Sequence, residues 1–362
     1  MQSMIPSDMA DLAKVQAETE MDLLDIPNVV GVALGTKMSK NEDTGKPCIT
    51  ALVSAKLNKS MLAKGELIPN KVKDIHTDVV EVGELFAGDF EPVTITHGPG
   101  VQLLERQEPA TREGAAAGEP GVEAGGGVSA SAAVSNALTR RLRPAQGGFS
   151  VGHYKITAGT LGTCCYDLTP FPGMPQRFYI LSNNHVLANA NDAKLGDAIL
   201  QPGPYDGGTV PRDIIARLTR YVPIKFHTPT SKPLNYVDAA IAEGNLQDLS
   251  REIYWAGQPR DLYVAPRVNE IVQKTGRTTG FTTGRITNIN ATVDVNYGGG
   301  RVARFRNQII TTTMSAPGDS GSLVLDRDER AVGLLFAGSS THTIINNILL
   351  VQILLKVRVH EK

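Results

Sequence analysis

The chain has 362 residues and a formal net charge of −1 at pH 7. Its length exceeds that of one ordinary hydrophobic core and predicts two domains. The near-neutral charge provides no basic face, so we expect neither nucleic acid nor a membrane as a partner. Acidic and basic side chains are mixed through the N-terminal residues, and no apolar run approaches the length of a membrane span; we therefore expect no secretory leader and no transmembrane segment.

The sequence contains three cysteines, Cys48 and the adjacent Cys164 and Cys165. An odd number, with two in neighbouring positions, does not fit an ordinary disulfide framework. We therefore expect a reducing, cytoplasmic location. The adjacent pair is expected to be buried as small hydrophobic residues on a strand, in preference to forming a redox pair.

Residues 1–106 are predicted to form a small α+β domain. An amphipathic helix is expected over residues 7–24, and strands over residues 29–35, 49–55 and 79–82. We find no catalytic constellation in this region, so its expected role is regulatory or pro-segment-like, with a possible regulatory partner.

Residues 107–147 are rich in Ala, Gly, Glu, Pro and Ser and are predicted to be a flexible linker. The basic end of this segment, residues 139–144, is expected to be exposed. A solvated tether is favoured there over a processing site, although exposed chain is where proteases cut.

Residues 148–362 contain short β runs separated by Gly, Pro, Asn and Asp, which is typical of an antiparallel sandwich or barrel. The tail over residues 344–359 is rich in Ile, Leu and Val. We predict a terminal helix packed on the barrel, with a membrane-surface helix as the alternative.

Three motifs in this region carry chemistry: His185 follows an apolar strand, Asp238 enters another, and Ser320 stands between glycines. A serine hydroxyl becomes a nucleophile when an imidazole takes its proton, and a buried carboxylate holds that imidazole in the required tautomer. The motifs therefore predict acyl transfer at a peptide carbonyl with His185 as base, Asp238 as orienting group and Ser320 as nucleophile. This chemistry calls for no metal and no cofactor.

Gly318 and Gly321 allow a sharp turn around Ser320. The backbone amides of Gly318 and Ser320 are the expected oxyanion hole, in which one donor contributes roughly 3–4 kcal/mol to transition-state stabilisation. The nucleophile elbow of α/β-hydrolases is excluded, because it needs glycine where this chain has Ser322.

The stretches 157–162, 273–280 (Gln-Lys-Thr-Gly-Arg-Thr-Thr-Gly), 290–293 and 297–300 resemble bacterial chymotrypsin-like serine proteases, with the streptogrisins and α-lytic protease as comparison. The resemblance covers about residues 149–357. It implies a mainly β fold, a chymotrypsin-like double antiparallel β-barrel with a C-terminal helix, preceded by the small α+β domain. His185 and Asp238 would come from the first barrel and Ser320 from the second.

The resemblance also implies supporting residues. Arg277 would form a buried pair with Asp319 that shapes the oxyanion hole, and its removal would cost roughly 3–5 kcal/mol. Phe336 stands where many relatives have a serine that bonds the catalytic aspartate, so Asp238 must find another donor.

The substrate pocket implied by the resemblance has Met314 at its floor and Phe336, Ala337 and Gly338 as its wall. The wall backbone could bind substrate as an added strand. Because no acidic side chain stands at the floor, we expect an apolar or small residue before the cut bond.

The function expected from these observations is that of a serine endopeptidase acting on protein or peptide substrates through an acyl-enzyme. One alternative is a protease effector gated by a partner of the N-terminal domain. The other is a catalytically silent protease fold used for binding, against which the intact set of His185, Asp238 and Ser320 weighs.

Overall fold

The computed structural model of the protein describes residues 4–40, 42–63, 65–88, 137–168 and 175–360. Within these ranges no helix is both long and apolar enough to cross a membrane. The α-helices whose bounds lie within these ranges are α1 (Ala10–Leu24), α2 (Asn184–Leu187) and α3 (Ile348–Leu355). Short 3₁₀ helices cover Ser7–Met9, Lys59–Met61, Asn189–Asn191, Pro204–Asp206 and Leu246–Asp248.

Strands are the most frequent regular elements of the described chain. In chain order the strands are β1 (Val29–Ser39), β2 (Glu42–Val53), β3 (Lys71–Val72), β4 (Ile75–Glu81), β5 (Ala145–Gly147), β6 (Ser150–His153), β7 (Gly159–Thr160), β8 (Thr163–Asp167), β9 (Phe178–Ser182), β10 (Ala198–Leu200), β11 (Ile214–Tyr221), β12 (Leu234–Asn235), β13 (Ala240–Gly244), β14 (Leu249–Ile253), β15 (Asp261–Leu262), β16 (Ile271–Gly276), β17 (Gly280–Asn296), β18 (Val302–Thr312), β19 (Leu323–Asp326), β20 (Arg330–Gly338), β21 (His342–Asn347) and β22 (Val357–Arg358).

Two large sheets dominate the fold. One has the strand order β22-β8-β9-β13-β11-β10-β6-β7. In the other, β18, β21, β20, β19, β16 and β17 pair in sequence, and β17 also pairs with β18, so these strands close into a barrel. The mainly β, chymotrypsin-like architecture predicted from the sequence is confirmed.

The N-terminal strands extend the sheet of the second barrel, because β1 pairs with β17 and β2 pairs with both β1 and β4. Helix α1 packs over this joint, where Leu23 and Leu24 share a core with Val272 and Ile286. The predicted helix and strands of this region are therefore present, but their hydrophobic faces are buried against the barrel sheet.

Polar contacts fasten the same helix to β17. Buried Gln16 donates from Nε2 to the Asn290 carbonyl at 2.8 Å. Buried Glu20 accepts from Thr292 Oγ1 at 2.9 Å and pairs with Arg306. Since buried charged groups are costly unless paired, these contacts specify one position for the helix on the barrel.

Two predicted segments differ in the structure. Most of the linker prediction lies outside the described residues, but its last part, residues 137–147, is packed, with Leu138 fully buried and β5 paired with β14. The predicted terminal helix over residues 344–359 is helical only from Ile348 to Leu355. Its start belongs to β21, because the β-branched Ile344 and Ile345 suit a strand, and the side chain of Asn347 then caps the helix.

The three cysteines are free and buried. Cys164 and Cys165 lie on β8, as predicted, and burial raises the pKa of the Cys164 thiol to about 12. A thiol with so high a pKa carries little thiolate at neutral pH, which is consistent with a packing role.

Candidate active site

His185 and Asp238 lie close together because the end of strand β9 is next to the beginning of the antiparallel strand β13. Strand β9 pairs with β13 so that Ser182 lies opposite Ala240. His185 follows β9 on the single turn of α2, and Asp238 lies two residues before β13. His185 Nδ1 lies 2.6 Å from Asp238 Oδ2, and the His185 backbone N–H donates to Asp238 Oδ1 at 3.2 Å.

The carboxylate of Asp238 is fully buried, and the side chain of His185 is 9% exposed. An ionised carboxylate only accepts hydrogen bonds, so the 2.6 Å contact assigns the proton to Nδ1 and leaves the lone pair on Nε2. In the described part of the chain, buried Nε2 makes no hydrogen bond, so the bond between His185 and Ser320 is not formed in this structure.

Tyr297 supplies the further donor that Asp238 requires. Its hydroxyl donates to Asp238 Oδ2 at 2.7 Å, and its ring meets the His185 ring edge to face at 6.1 Å. Burial, followed by the charge of Asp238, raises the pKa of Tyr297 well above its usual value, so the phenol stays protonated as a donor. Sequence reasoning missed this residue, which lies beside a glycine-rich turn 59 positions from Asp238.

We expect Tyr297→Phe to lower kcat/KM by about tenfold, since a hydrogen bond to a charged group is worth roughly 1.5–3 kcal/mol. Without the phenol, more of the Asp238 charge acts on His185 and favours the imidazolium. The acidic limb of the pH profile of kcat/KM should therefore move to higher pH, which peptide hydrolysis at a series of pH values measures.

Tyr166→Phe is the matched control for this prediction, because it also removes a half-buried tyrosine hydrogen bond, to the carbonyl of His360. It should leave the pH profile in place. A loss of stability in Tyr297→Phe with no movement of the acidic limb would show that Tyr297 only packs.

Ser320 stands in a loop immediately before β19, and two glycines make its turn possible. Gly318 and Gly321 have φ values of 93° and 96°, in the left-handed region that favours glycine. A Cβ at Gly321 would lie 2.0 Å from Ser182 Oγ. The Ser320 carbonyl accepts from the Thr160 N–H at 2.7 Å, so the first barrel holds the loop of the second.

The backbone of the turn orients the Gly318 amide. The Asp319 N–H donates to the Ala316 carbonyl at 3.0 Å. Pro317 is the second residue of this turn and Gly318, with its positive φ, is the third, so residues 316–319 form a type II turn. The Pro317 carbonyl accepts from Thr278 Oγ1 at 2.7 Å. Because a trans peptide is planar, the Gly318 N–H points away from Thr278.

The predicted pair of Arg277 with Asp319 is wrong: Lys274 is the cation that meets Asp319. The Lys274 Nζ lies 3.1 Å from Asp319 Oδ2, and both side chains have no exposed surface. Lys274 and Val272 occupy alternate, inward-facing positions of β16, whereas Arg277 lies beyond the strand. The alternation in the sequence indicates that Lys274 shares a face with the apolar Val272, but it does not indicate that Asp319 lies opposite.

Arg277 instead pairs with Asp206, to which its Nε donates at 2.9 Å. The Asp319 carboxylate is held by backbone groups as well as by Lys274. Oδ1 accepts from the N–H groups of Thr278 and Thr279 at 2.9 and 3.1 Å, and Oδ2 from the Ala316 N–H at 3.0 Å. The carboxylate thus joins β16 and its following turn to the Ser320 loop.

A cavity of about 480 Å³ opens beside Ser320. The described residues that line it are Gly83, Glu84, Phe86, Gly88, Thr313, Ser315, Ala316, Pro317, Ser320, Leu335, Ala337, Gly338, Ser339 and Ser340. Glu84 is the one charged side chain among them.

Of the residues in the predicted substrate pocket, Ala337 and Gly338 line the cavity, whereas Met314 and Phe336 do not. Met314 packs in the core of the second barrel, and Phe336 contacts Phe305 in a tilted arrangement, with ring centroids 4.8 Å apart. Along β20, alternate side chains face opposite sides, so Phe336 turns inward and Ala337 faces the cavity.

Residues 162–334 match the family model described as a trypsin-like peptidase domain. Serine protease 2 of Streptomyces fradiae is 37% identical over 109 residues, a segment that makes up 30% of this chain and 51% of that protein. The chain thus spans about half the length of the curated relative that it matches. The resemblance to bacterial chymotrypsin-like serine proteases is confirmed.

Two solved structures are also similar to this chain. Thermobifida fusca Protease A is 14% identical, with a TM-score of 0.42, and the match covers 60% of this chain and 98% of that one. Nocardiopsis protease is 18% identical, with a TM-score of 0.42 and the same coverages of 60% and 98%.

Proposed function

We propose that this chain, whose residues 162–334 resemble the trypsin-like peptidase family, is a serine endopeptidase that works through an acyl-enzyme. The family supports peptidase activity in general. The observation that carries the finer proposal is the 2.6 Å contact between His185 Nδ1 and Asp238 Oδ2, inside a site whose cavity is bordered by Ser320.

In the proposed reaction, Ser320 Oγ attacks the peptide carbonyl while His185 Nε2 takes the hydroxyl proton. Asp238 stabilises the imidazolium without taking the proton itself. The tetrahedral intermediate collapses as His185 protonates the leaving amine, which departs and leaves the acyl group on Ser320. Water, deprotonated by His185, then releases the acid and restores the serine.

The amides of Gly318 and Ser320 are the proposed oxyanion hole. The type II turn and the hydrogen bond of the Pro317 carbonyl to Thr278 support this role, since they turn the Gly318 N–H away from the β16 side. A preorganised donor of this kind is worth roughly 3–4 kcal/mol in the transition state.

We propose a preference for an apolar or small residue before the cut bond. The part of the cavity formed by residues 313–340 has no charged side chain among its described lining residues. A cleavage profile dominated by Lys, Arg, Asp or Glu at that position would contradict this preference.

We expect a fluorophosphonate probe to label the wild-type protein at one serine and to leave Ser320→Ala unlabelled, as measured by intact mass and peptide mapping. The reason is that such probes react with a serine only where a base has activated the hydroxyl. Ser250→Ala, which removes a serine on β14 outside the cavity lining, should label like the wild type.

Absence of label from the wild type, and from the variants with an opened cleft described below, would favour the silent binding module. Label at another serine would contradict the assignment of Ser320.

A further inference from the structure

The chain crosses its own cavity after β4. Phe86 pairs with Gly338, the last residue of β20, in antiparallel fashion. The Phe86 N–H donates to the Gly338 carbonyl at 3.0 Å, and the Gly338 N–H donates to the Phe86 carbonyl at 2.9 Å. Phe86 therefore occupies both the N–H and the carbonyl of Gly338, so neither backbone group of Gly338 is free to bind a substrate strand at the cavity wall.

The opposite edge of this segment is paired as well. The Ala87 N–H donates to the Asn296 carbonyl at 3.0 Å, and the Asn296 N–H donates to the Leu85 carbonyl at 2.8 Å. The segment is thus an added strand between the ends of β17 and β20.

Side chains anchor the added strand. Leu85 and Ala87 are 2% and 6% exposed and belong to the hydrophobic cluster that contains Phe305 and Phe336. Phe86 points the other way and lines the cavity, as the alternation of a strand requires.

Gly88, the last described residue of this segment, lies next to the candidate catalytic residues. Gly88 lines the same cavity as Ser320, and a Cβ placed on Gly88 would lie 3.9 Å from His185 Cδ2. Gly88 has φ of 92°, so the backbone leaves the extended conformation there. A scissile peptide bond is expected to lie in an extended segment, and the φ of Gly88 departs from that conformation.

We propose that residues 85–88 are an intramolecular ligand of the substrate cleft, which keeps the protease closed until the segment is displaced. This proposal rests on the proposed function, because it assigns the Gly338 edge to an extended peptide substrate. The ligand class is an extended, uncharged peptide with an aromatic side chain two residues before a terminal glycine.

The first test measures peptide binding and needs no activity. A fluorescein-labelled Leu-Phe-Ala-Gly peptide is titrated against Ser320→Ala and against Phe86→Pro/Ser320→Ala, with binding followed by anisotropy. Proline at residue 86 removes the N–H that bonds Gly338. We expect the double variant to bind the peptide about tenfold or more tightly, because the open fraction sets the apparent affinity.

Two further variants keep this test decisive. Leu85→Ala/Ser320→Ala retains every backbone donor and loosens the buried anchor, so it should shift binding in the same direction with the fold intact. Leu57→Pro/Ser320→Ala is the matched control, since it places proline in an exposed segment outside the cavity lining and should bind like Ser320→Ala.

Equal peptide affinity for Ser320→Ala and for both opened variants would overturn the proposal. So would an intact mass showing that the wild-type chain is cut after Gly88, since the segment would then be a substrate. The second test is the rate of fluorophosphonate labelling, which we expect to rise about tenfold in Phe86→Pro. Enhanced peptide binding with no labelling of any variant would instead refute the proposed catalysis and leave the intramolecular ligand standing.

Discussion

Asp238→Asn is expected to lower kcat by about four orders of magnitude with the fold retained. Asp238 Oδ2 accepts from both His185 Nδ1 and Tyr297, at 2.6 and 2.7 Å. An asparagine offers one acceptor oxygen and one NH₂ donor in place of two acceptor oxygens. When the NH₂ group faces His185, the Nδ1 atom must become the acceptor, so Nε2 carries the proton and no longer serves as a base.

Single-turnover peptide hydrolysis and near-ultraviolet circular dichroism measure the two parts of this prediction. Asp213→Asn is the matched control, because Asp213 is also fully buried and paired, with Arg212, but lies outside the cavity lining. It should lower stability with little effect on kcat. A drop in kcat of the same size in both variants would contradict the assigned role of Asp238.

Lys274→Met is expected to lower the free energy of unfolding by about 3–5 kcal/mol, because it leaves the buried Asp319 carboxylate without its cation. Activity should fall as well, because Asp319 holds the Ala316 and Thr278 amides on either side of the turn that presents Gly318. Urea unfolding measures the stability, and kcat/KM for a peptide measures the activity.

Two variants make this prediction specific. Lys274→Arg retains the charge and should recover much of both quantities, whereas Arg277→Ala should cost less than Lys274→Met, because Arg277 pairs with Asp206. A larger loss in Arg277→Ala would restore the pair predicted from the sequence.

Alkaline pH provides an independent measurement for the same residue. Burial lowers the pKa of Lys274 from its ordinary value of 10.5, although Asp319 acts in the opposite direction. The lysine therefore loses its charge at a lower pH than an exposed lysine does, and the ion pair is lost as pH rises through that value. Lys274→Arg should move the alkaline limb of activity to higher pH, since arginine stays protonated.

Local patterns in the sequence were sufficient to find the three candidate catalytic side chains. His185 and Asp238 stand near strand ends. Ser320 stands between two glycines, Gly318 and Gly321, whose positive φ values are in the region that favours glycine. The same local signals predicted the N-terminal helix, most of the strands and the mainly β class.

Contacts between distant segments were not accessible in this way. Lys274 and Arg277 lie three positions apart in one motif, but Lys274 faces inward from β16 whereas Arg277 lies in the turn that follows the strand. Choosing between them required the register in which β16 pairs with β19, where Gln273 lies opposite Leu325.

By itself, then, the sequence determined which residue types could perform acyl transfer and that each of them stands next to an apolar strand. Only the tertiary structure decided that Tyr297 bonds Asp238, that Lys274 neutralises Asp319, and that residues 85–88 lie in the cleft. The physical reason is that motifs and hydrophobic periodicity act over a few residues. Whether a buried charge is paired, or a sheet edge is occupied by another strand, depends on which distant segment packs against it in the folded barrels.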